Sequence, residues 1–277
     1  MTDDGVIALV AGLFGAVIGS FLNVCIVRWP ADQSVIKPRS RCPKCGLQIA
    51  WYDNIPLVSY LVLAGRCRNC KAPISARYPA VEFLTGLKFA LCAILWGPGL
   101  AAAKAALLSA LAIGLIFADL ESRILPDEMT LGGLAAGFAF AWPVPVHDGT
   151  AQAILALAGI RAGDGAASLA EAALGAALPA GVLWFGGWLF EKLRHKEGLG
   201  FGDMKMLAML GSFLGFRETL LALTAGSALG SVGGLAYIVI FRKGREYYLP
   251  FGSFLGIGAL GVILFGRMWI EWYEGLF

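Results

Sequence analysis

Histidine is almost missing from this chain: 277 residues contain two, His147 and His195. A zinc protease built on two histidines one helical turn apart is therefore excluded. A Ser-His-Asp triad would have to use one of these two, and neither stands near a plausible nucleophile. His195, in the stretch Glu-Lys-Leu-Arg-His-Lys-Glu, reads as a solvated helix end. Charge is scarce as well, at 15% of residues, where a soluble domain carries roughly a quarter. With 58% apolar residues and a mean hydropathy of +0.73, this composition excludes a soluble enzyme, a disordered chain and a nucleic-acid module, so no nucleic-acid partner is expected. Short segments alternating apolar and polar residues, the mark of a membrane β-barrel, are lacking too. The N-terminal flank, Met1 to Asp4, is acidic and no small-residue cleavage site follows, so the first apolar run reads as a retained helix and not a signal peptide.

What the chain does have is long unbroken apolar runs, which in a lipid bilayer means helices. About 20 residues cross roughly 30 Å of hydrocarbon. On that measure about eight transmembrane spans are expected: Gly5–Val27, Ala80–Trp96, Leu100–Ala118, Met129–Val146, Leu169–Phe190, Met204–Phe216, Thr219–Phe241 and Phe251–Trp272. Met204–Phe216 is short, as a tilted or partly re-entrant helix would be. The expected class is an all-α polytopic membrane protein, with residues 1–27 as a first helix, 28–79 as an inserted polar domain and 80–277 as the main membrane domain. Between His147 and Ser168 a short apolar piece, Ala153–Ile160, reads as an interfacial helix or loop. No internal repeat is evident. Sixteen of the 22 lysines and arginines fall in loops on one side, nine of them between Arg28 and Pro79. The positive-inside rule makes that side cytoplasmic and puts both termini outside.

The polar loop carries two cysteine pairs, Cys42-Pro-Lys-Cys45 and Cys67-Arg-Asn-Cys70, separated by 21 residues. Two such knuckles place four thiolates tetrahedrally around zinc, with no position left open for water, which makes the site structural. Disulfides are the alternative, disfavoured on a reducing face. Lys44, Arg66, Arg68 and Lys71 would balance the negative Zn(Cys)4 centre. Cys25 and Cys92, inside apolar runs, read as small buried side chains.

Acids at membrane boundaries are the other signal, because a charge at a helix centre costs about 2.5–3.5 kcal/mol on insertion scales. Asp119 closes the run Leu107–Ala118, and Asp203 opens the short span at Met204. On the topology above both fall at the cytoplasmic boundary, on different helices. Two adjacent carboxylates share a proton near neutral pH, so that one can deprotonate water while the other protonates a scissile group. The glycines of Gly198-Leu-Gly-Phe-Gly-Asp203, Gly200 and Gly202 among them, would let an extended substrate strand lie beside the acid. The competing reading makes Asp203, like Asp127 after Pro126, a helix cap.

The chain resembles the bacterial type IV prepilin peptidases, leader peptidases that are also N-methyltransferases. The matching stretches are Gly19-Ser-Phe-Leu-Asn-Val24, Ser40-Arg-Cys-Pro-Lys-Cys45, Trp51-Tyr-Asp-Asn-Ile-Pro-Leu57, Gly65-Arg-Cys-Arg-Asn-Cys70, Pro73-Ile-Ser-Ala-Arg-Tyr-Pro79, Ala118-Asp119 with Leu125-Pro-Asp127, and Gly200-Phe-Gly-Asp203-Met-Lys205. The resemblance implies that Asp119 and Asp203 are the catalytic pair of an intramembrane aspartyl protease in the inner membrane. It implies cleavage of a short basic leader from prepilins and pseudopilins, whose apolar helix stays in the lipid bilayer, followed by methylation of the new N-terminal residue with S-adenosylmethionine. No glycine-rich nucleotide fold is present for the methyl donor, and no pattern marks its residues. The segment His147–Ser168 is longer than the family's usual connection. Two other readings stand beside this one. A transporter or channel would use both aspartates as a cation site, and an assembly factor would use the zinc module for contacts alone. The zinc knuckles and the alternate glycines speak against the first.

Overall fold

The computed structural model of the chain describes residues 3–160, 162–194, 200–241 and 250–276. His195, Lys196 and Gly198 lie outside the described residues, as do Arg161, Arg242, Lys243 and Arg245 of the charge count. Ten α-helices are described: α1 (Asp3–Arg28), α2 (Val58–Val62), α3 (Arg77–Trp96), α4 (Leu100–Ser122), α5 (Asp127–Ala141), α6 (Thr150–Leu157), α7 (Asp164–Arg194), α8 (Phe201–Leu214), α9 (Phe216–Phe241) and α10 (Phe251–Glu274). No strand longer than an isolated bridge occurs among the described residues.

Every expected span contains a helix, though α5 stops at Ala141 short of the expected Val146, and among the described residues six rather than eight helices are long and apolar enough to cross a membrane: α1, α3, α4, α7, α9 and α10. The other two, α5 with 15 residues and α8 with 14, rise only about 21–22 Å, short of a ~30 Å hydrocarbon core. The protein is thus a multi-pass membrane protein in which two helices are too short to span upright. The apolar piece expected near Ala153–Ile160 is α6, ending at Leu157. Its neighbourhood is tied down locally: the Ser168 hydroxyl donates to the Ala141 carbonyl (2.6 Å) and accepts from the Val146 amide (2.9 Å), while Glu171 accepts from the Gln152 amide (3.1 Å).

The chain separates into two compact units, Met1–Ser122 and Arg123–Phe277. In the first, α1 packs on α3 and both pack on α4. Lipid tails are as apolar as leucine, so membrane helices associate by close backbone approach at small residues. Here that approach runs along Gly12, Gly15 and Gly19. A Cβ built on Gly19 would stand 2.7 Å from Glu82 Cα, and one on Gly15 2.8 Å from the Thr85 carbonyl oxygen. Leu9, Val10, Leu13, Phe14 and Val17 on the far side of α1 are exposed, as suits a face turned to lipid. Asn23 fixes the upper end by donating to the Tyr78 carbonyl (3.0 Å).

In the second unit the short α8 is the centre, touching α5, α7, α9 and α10. Met206, Leu207, Met209 and Leu210 are fully buried. Its close approach to α7 depends on paired glycines, since a Cβ on Gly211 would meet the Gly175 carbonyl oxygen at 1.9 Å. Gly258 approaches Ala222 of α9 in the same way.

Candidate functional site

The polar loop folds around its cysteines. The four sulfurs of Cys42, Cys45, Cys67 and Cys70 all lie within 4.8 Å of one another. Cys42 Sγ and Cys70 Sγ are 3.8 Å apart, close to the ~3.8 Å edge of a tetrahedron with Zn–S of ~2.3 Å and far beyond the ~2.05 Å of a disulfide. All six cysteines are free thiols. The donor set fits zinc.

The knuckles are one turn built twice. The Cys42 amide donates to Leu47 O and the Gly46 amide to Cys42 O; 25 residues on, Cys67 donates to Ala72 O and Lys71 to Cys67 O. Bridges pair Arg41 with Gln48 and Arg66 with Pro73. Gly46 and Lys71, at equivalent positions, both have positive φ, 71° and 58°. The loop therefore does contain an internal repeat. It escapes a reading of the sequence because only Arg, the two cysteines and an isoleucine (Ile49, Ile74) recur.

The thiols are not equivalent. The amides of Cys45 and Lys44 hold Cys42 below the ordinary thiol range, and the Leu47 amide does the same for Cys45. At Cys70 the Ala72 amide pulls downward, but burial and the neighbouring thiols prevail and push it up to about 11. Four thiols this close cannot all ionise without a cation among them, which is what a metal supplies. Arg68 of the second knuckle makes a bidentate pair with Asp53 of the intervening segment (2.6 and 2.8 Å) and lies over the Tyr52 ring, holding Asp53 below the usual carboxylate range.

Asp119 sits in the last turn of α4 and is 6% exposed. A helix C-terminus disfavours negative charge, so Asp119 is no cap. The same helix end is pinned by Arg77, which pairs with Glu121 at 3.2 Å.

Asp203 belongs to the second unit, in the first turn of α8 behind Gly200 as N-cap. Its amide donates to Gly200 O (3.1 Å). A Cβ on Gly200 would stand 3.2 Å from Asp203 Oδ2, so Gly200 does border the carboxylate. Gly202 instead faces Leu125, whose side chain its Cβ would meet at 3.2–3.5 Å. The other flank of the carboxylate is Gly252 at the start of α10, 3.2 Å from Oδ1 by the same construction. Sequence reasoning missed Gly252, although Pro250-Phe-Gly-Ser marks a helix start. Asp127 is not the cap of α5. Pro126 occupies that position, and the Asp127 carboxylate pairs with Lys205. Cys25 and Cys92 are buried, as expected of small core side chains.

Residues 13–96 match the bacterial peptidase A24 N-terminal domain, and residues 105–235 match the type IV leader peptidase family. Among curated proteins, a prepilin leader peptidase/N-methyltransferase of Myxococcus xanthus is 41% identical over 236 residues, which is 84% of this chain and 63% of that protein's length. One from Aeromonas hydrophila is 37% identical over 285 residues, covering 94% of this chain and 91% of the relative. A type 4 prepilin-like proteins leader peptide-processing enzyme of Escherichia coli is 36% identical over 276 residues, with 93% of each chain covered. No solved structure matches.

Proposed function

Because the chain belongs to the type IV leader peptidase family, we propose that it cleaves the leader from prepilins and pseudopilins at the cytoplasmic boundary of the inner membrane, then methylates the new N-terminus. The observation that carries this reading is the likeness, over more than nine-tenths of the chain, to relatives from Aeromonas named for both activities.

In the proposed mechanism Asp119 and Asp203 act as a dyad. One carboxylate takes a proton from water as the water oxygen attacks the scissile carbonyl carbon. The other gives a proton to the leaving nitrogen as the C–N bond breaks. A coupled pair titrates as a unit, so the roles belong to the pair. Gly200 and Gly252 leave room beside Asp203 for an extended strand, because neither carries a side chain there. The apolar helix of the substrate stays in lipid while its polar leader lies across the acids. Cys42, Cys45, Cys67 and Cys70 would hold a structural zinc that shapes residues 28–79. S-adenosylmethionine would supply the methyl group. The amine it reacts with, of ordinary pKa near ~8, is partly neutral at pH 7 without a strong base.

The test is cleavage of a prepilin by purified protein in lipid, beside an Asp203→Asn variant. Release of the leader by the wild type alone supports the reading. No release by a zinc-replete, folded wild type would falsify it, and would favour a transporter or assembly role.

A further inference from the structure

Helix α2 is amphipathic in the unexpected sense. Val58, Leu61 and Val62, spaced i, i+3 and i+4 on one helical face, are exposed at 53%, 76% and 73%. The polar residue between them, Ser59, is buried; its hydroxyl donates to Tyr52 O (2.9 Å) and accepts from the Ile55 amide (3.0 Å). From Ile55 to Gly65 the chain carries no charge. A water-soluble module would turn this helix the other way.

The tether of α2 supplies the reason. The Leu57 amide donates to Glu82 Oε2 at 2.8 Å. Glu82 is the sixth residue of α3, about 7.5 Å along the axis from Arg77. With 20 residues, α3 is about 30 Å long and matches the hydrocarbon thickness, so Arg77 stands near its edge. Side chains on a helix lean toward its N-terminus, which brings the Glu82 carboxylate part of the way back to that edge. The start of α2 is thereby drawn down beside a membrane helix, to the depth of roughly 5–10 Å at which interfacial helices bury their apolar faces. Meanwhile α1 crosses α3 at the level of Glu82, where Gly19 touches it, and runs nine residues further to Arg28. The cysteine-rich loop is thus held high by one stem and low by the other.

We propose that α2 lies in the boundary layer of the bilayer, with Val58, Leu61 and Val62 among the lipid chains, and that it anchors the cysteine module to the membrane surface at a set height. The occupant of this face is lipid, because the Leu57–Glu82 bond sets the start of this uncharged, apolar-faced helix beside a helix long and apolar enough to cross the bilayer. The inference needs α3 to span the bilayer, and stands apart from the catalytic reading.

The experiment places a nitroxide, through a genetically encoded keto amino acid, at position 61 and separately at position 62 of the full-length, zinc-loaded protein in nanodiscs. Collisions with oxygen, which concentrates in lipid, are compared with collisions with a water-soluble nickel chelate. The expected oxygen-to-nickel ratio is several-fold above that of a label at the exposed loop residue Lys37, and approaches that of a label at Leu13 on α1. A ratio like that at position 37 overturns the proposal. Shielding from both reagents does so too, since it would mean that a second copy or another protein covers the stripe. Zinc content of each labelled protein verifies that the module is intact.

Discussion

The ammonium of Lys205, two residues beyond Asp203 on α8, is paired with the carboxylate of Asp127 at the start of α5 and lies over the Phe201 ring. Two helix N-termini, each carrying positive dipole charge, are thus held side by side in the second unit. Leu125, just before α5, closes the gap by packing between Gly202 and Gly252.

That clasp predicts a charge-swap result. Asp127 is more than half exposed, so Asp127→Asn should lower stability by less than about 1 kcal/mol. Leader cleavage should fall more, by roughly 10- to 100-fold, since small misplacements of a reacting group cost that much. The double variant Asp127→Lys with Lys205→Asp should recover most of the loss. Cleavage rates of the three proteins decide the matter, and no recovery in a folded double variant would rule out a positioning role.

Asp119→Asn and Asp203→Asn should each reduce leader cleavage by roughly four orders of magnitude, because members of a catalytic unit are not additive. Methyl transfer needs other chemistry. Offered a peptide already cleaved and beginning with Phe, Asp203→Asn should methylate it at the wild-type rate. Parallel loss of both activities, with fold and zinc content intact, would show that the aspartates serve both reactions.

The cysteine cluster should hold one zinc per chain by elemental analysis; less than about half an equivalent, with thiols found as disulfides, counts against it. The proton balance gives a second readout. Cys42 and Cys45 are lowered, so in the metal-free fold their contribution is present above the unfolded thiol value of ~8.5 and fades as pH falls through their own values. Cys70, raised to about 11, has the opposite sign: its contribution is present below ~8.5 and is lost as pH rises toward about 11. Zinc must displace the Cys70 proton, so adding zinc to metal-depleted protein near pH 8 should acidify an unbuffered solution. Cys42→Ser should speed proteolysis between Arg28 and Pro79.

Gly252→Ala would bring a methyl group to 3.2 Å from Asp203 Oδ1 and 3.1 Å from Leu125. Overpacking of this kind costs about 1–3 kcal/mol. Cleavage should drop while zinc content stays. Adding Leu125→Val relieves the contact with Leu125 alone, so activity that stays low in the double variant points to crowding at the carboxylate. Full recovery would assign the effect to packing.

Helix positions, the clustering of the four loop cysteines and the place of the two aspartates at helix ends were legible in the sequence because each is written locally. Long apolar runs state their own length, CxxC spacing states its own geometry, and Asp119 and Asp203 stand where hydrophobicity stops. The tertiary structure decided what depends on partners far apart in the chain. Asp127 reads as a cap until Lys205, 78 residues away, claims its carboxylate. Gly252 gains its meaning only when α10 sets it beside Asp203. Leu57 and Glu82 are unremarkable until their bond draws α2 down against α3. The expected span Met129–Val146 looks like the longer ones by composition, yet its helix α5 ends at Ala141, whereas Met204–Phe216 is short in the sequence itself. In each case the local pattern admits several partners, and close packing at glycine contacts selects one, because only a side chain reduced to hydrogen lets the backbones approach this closely.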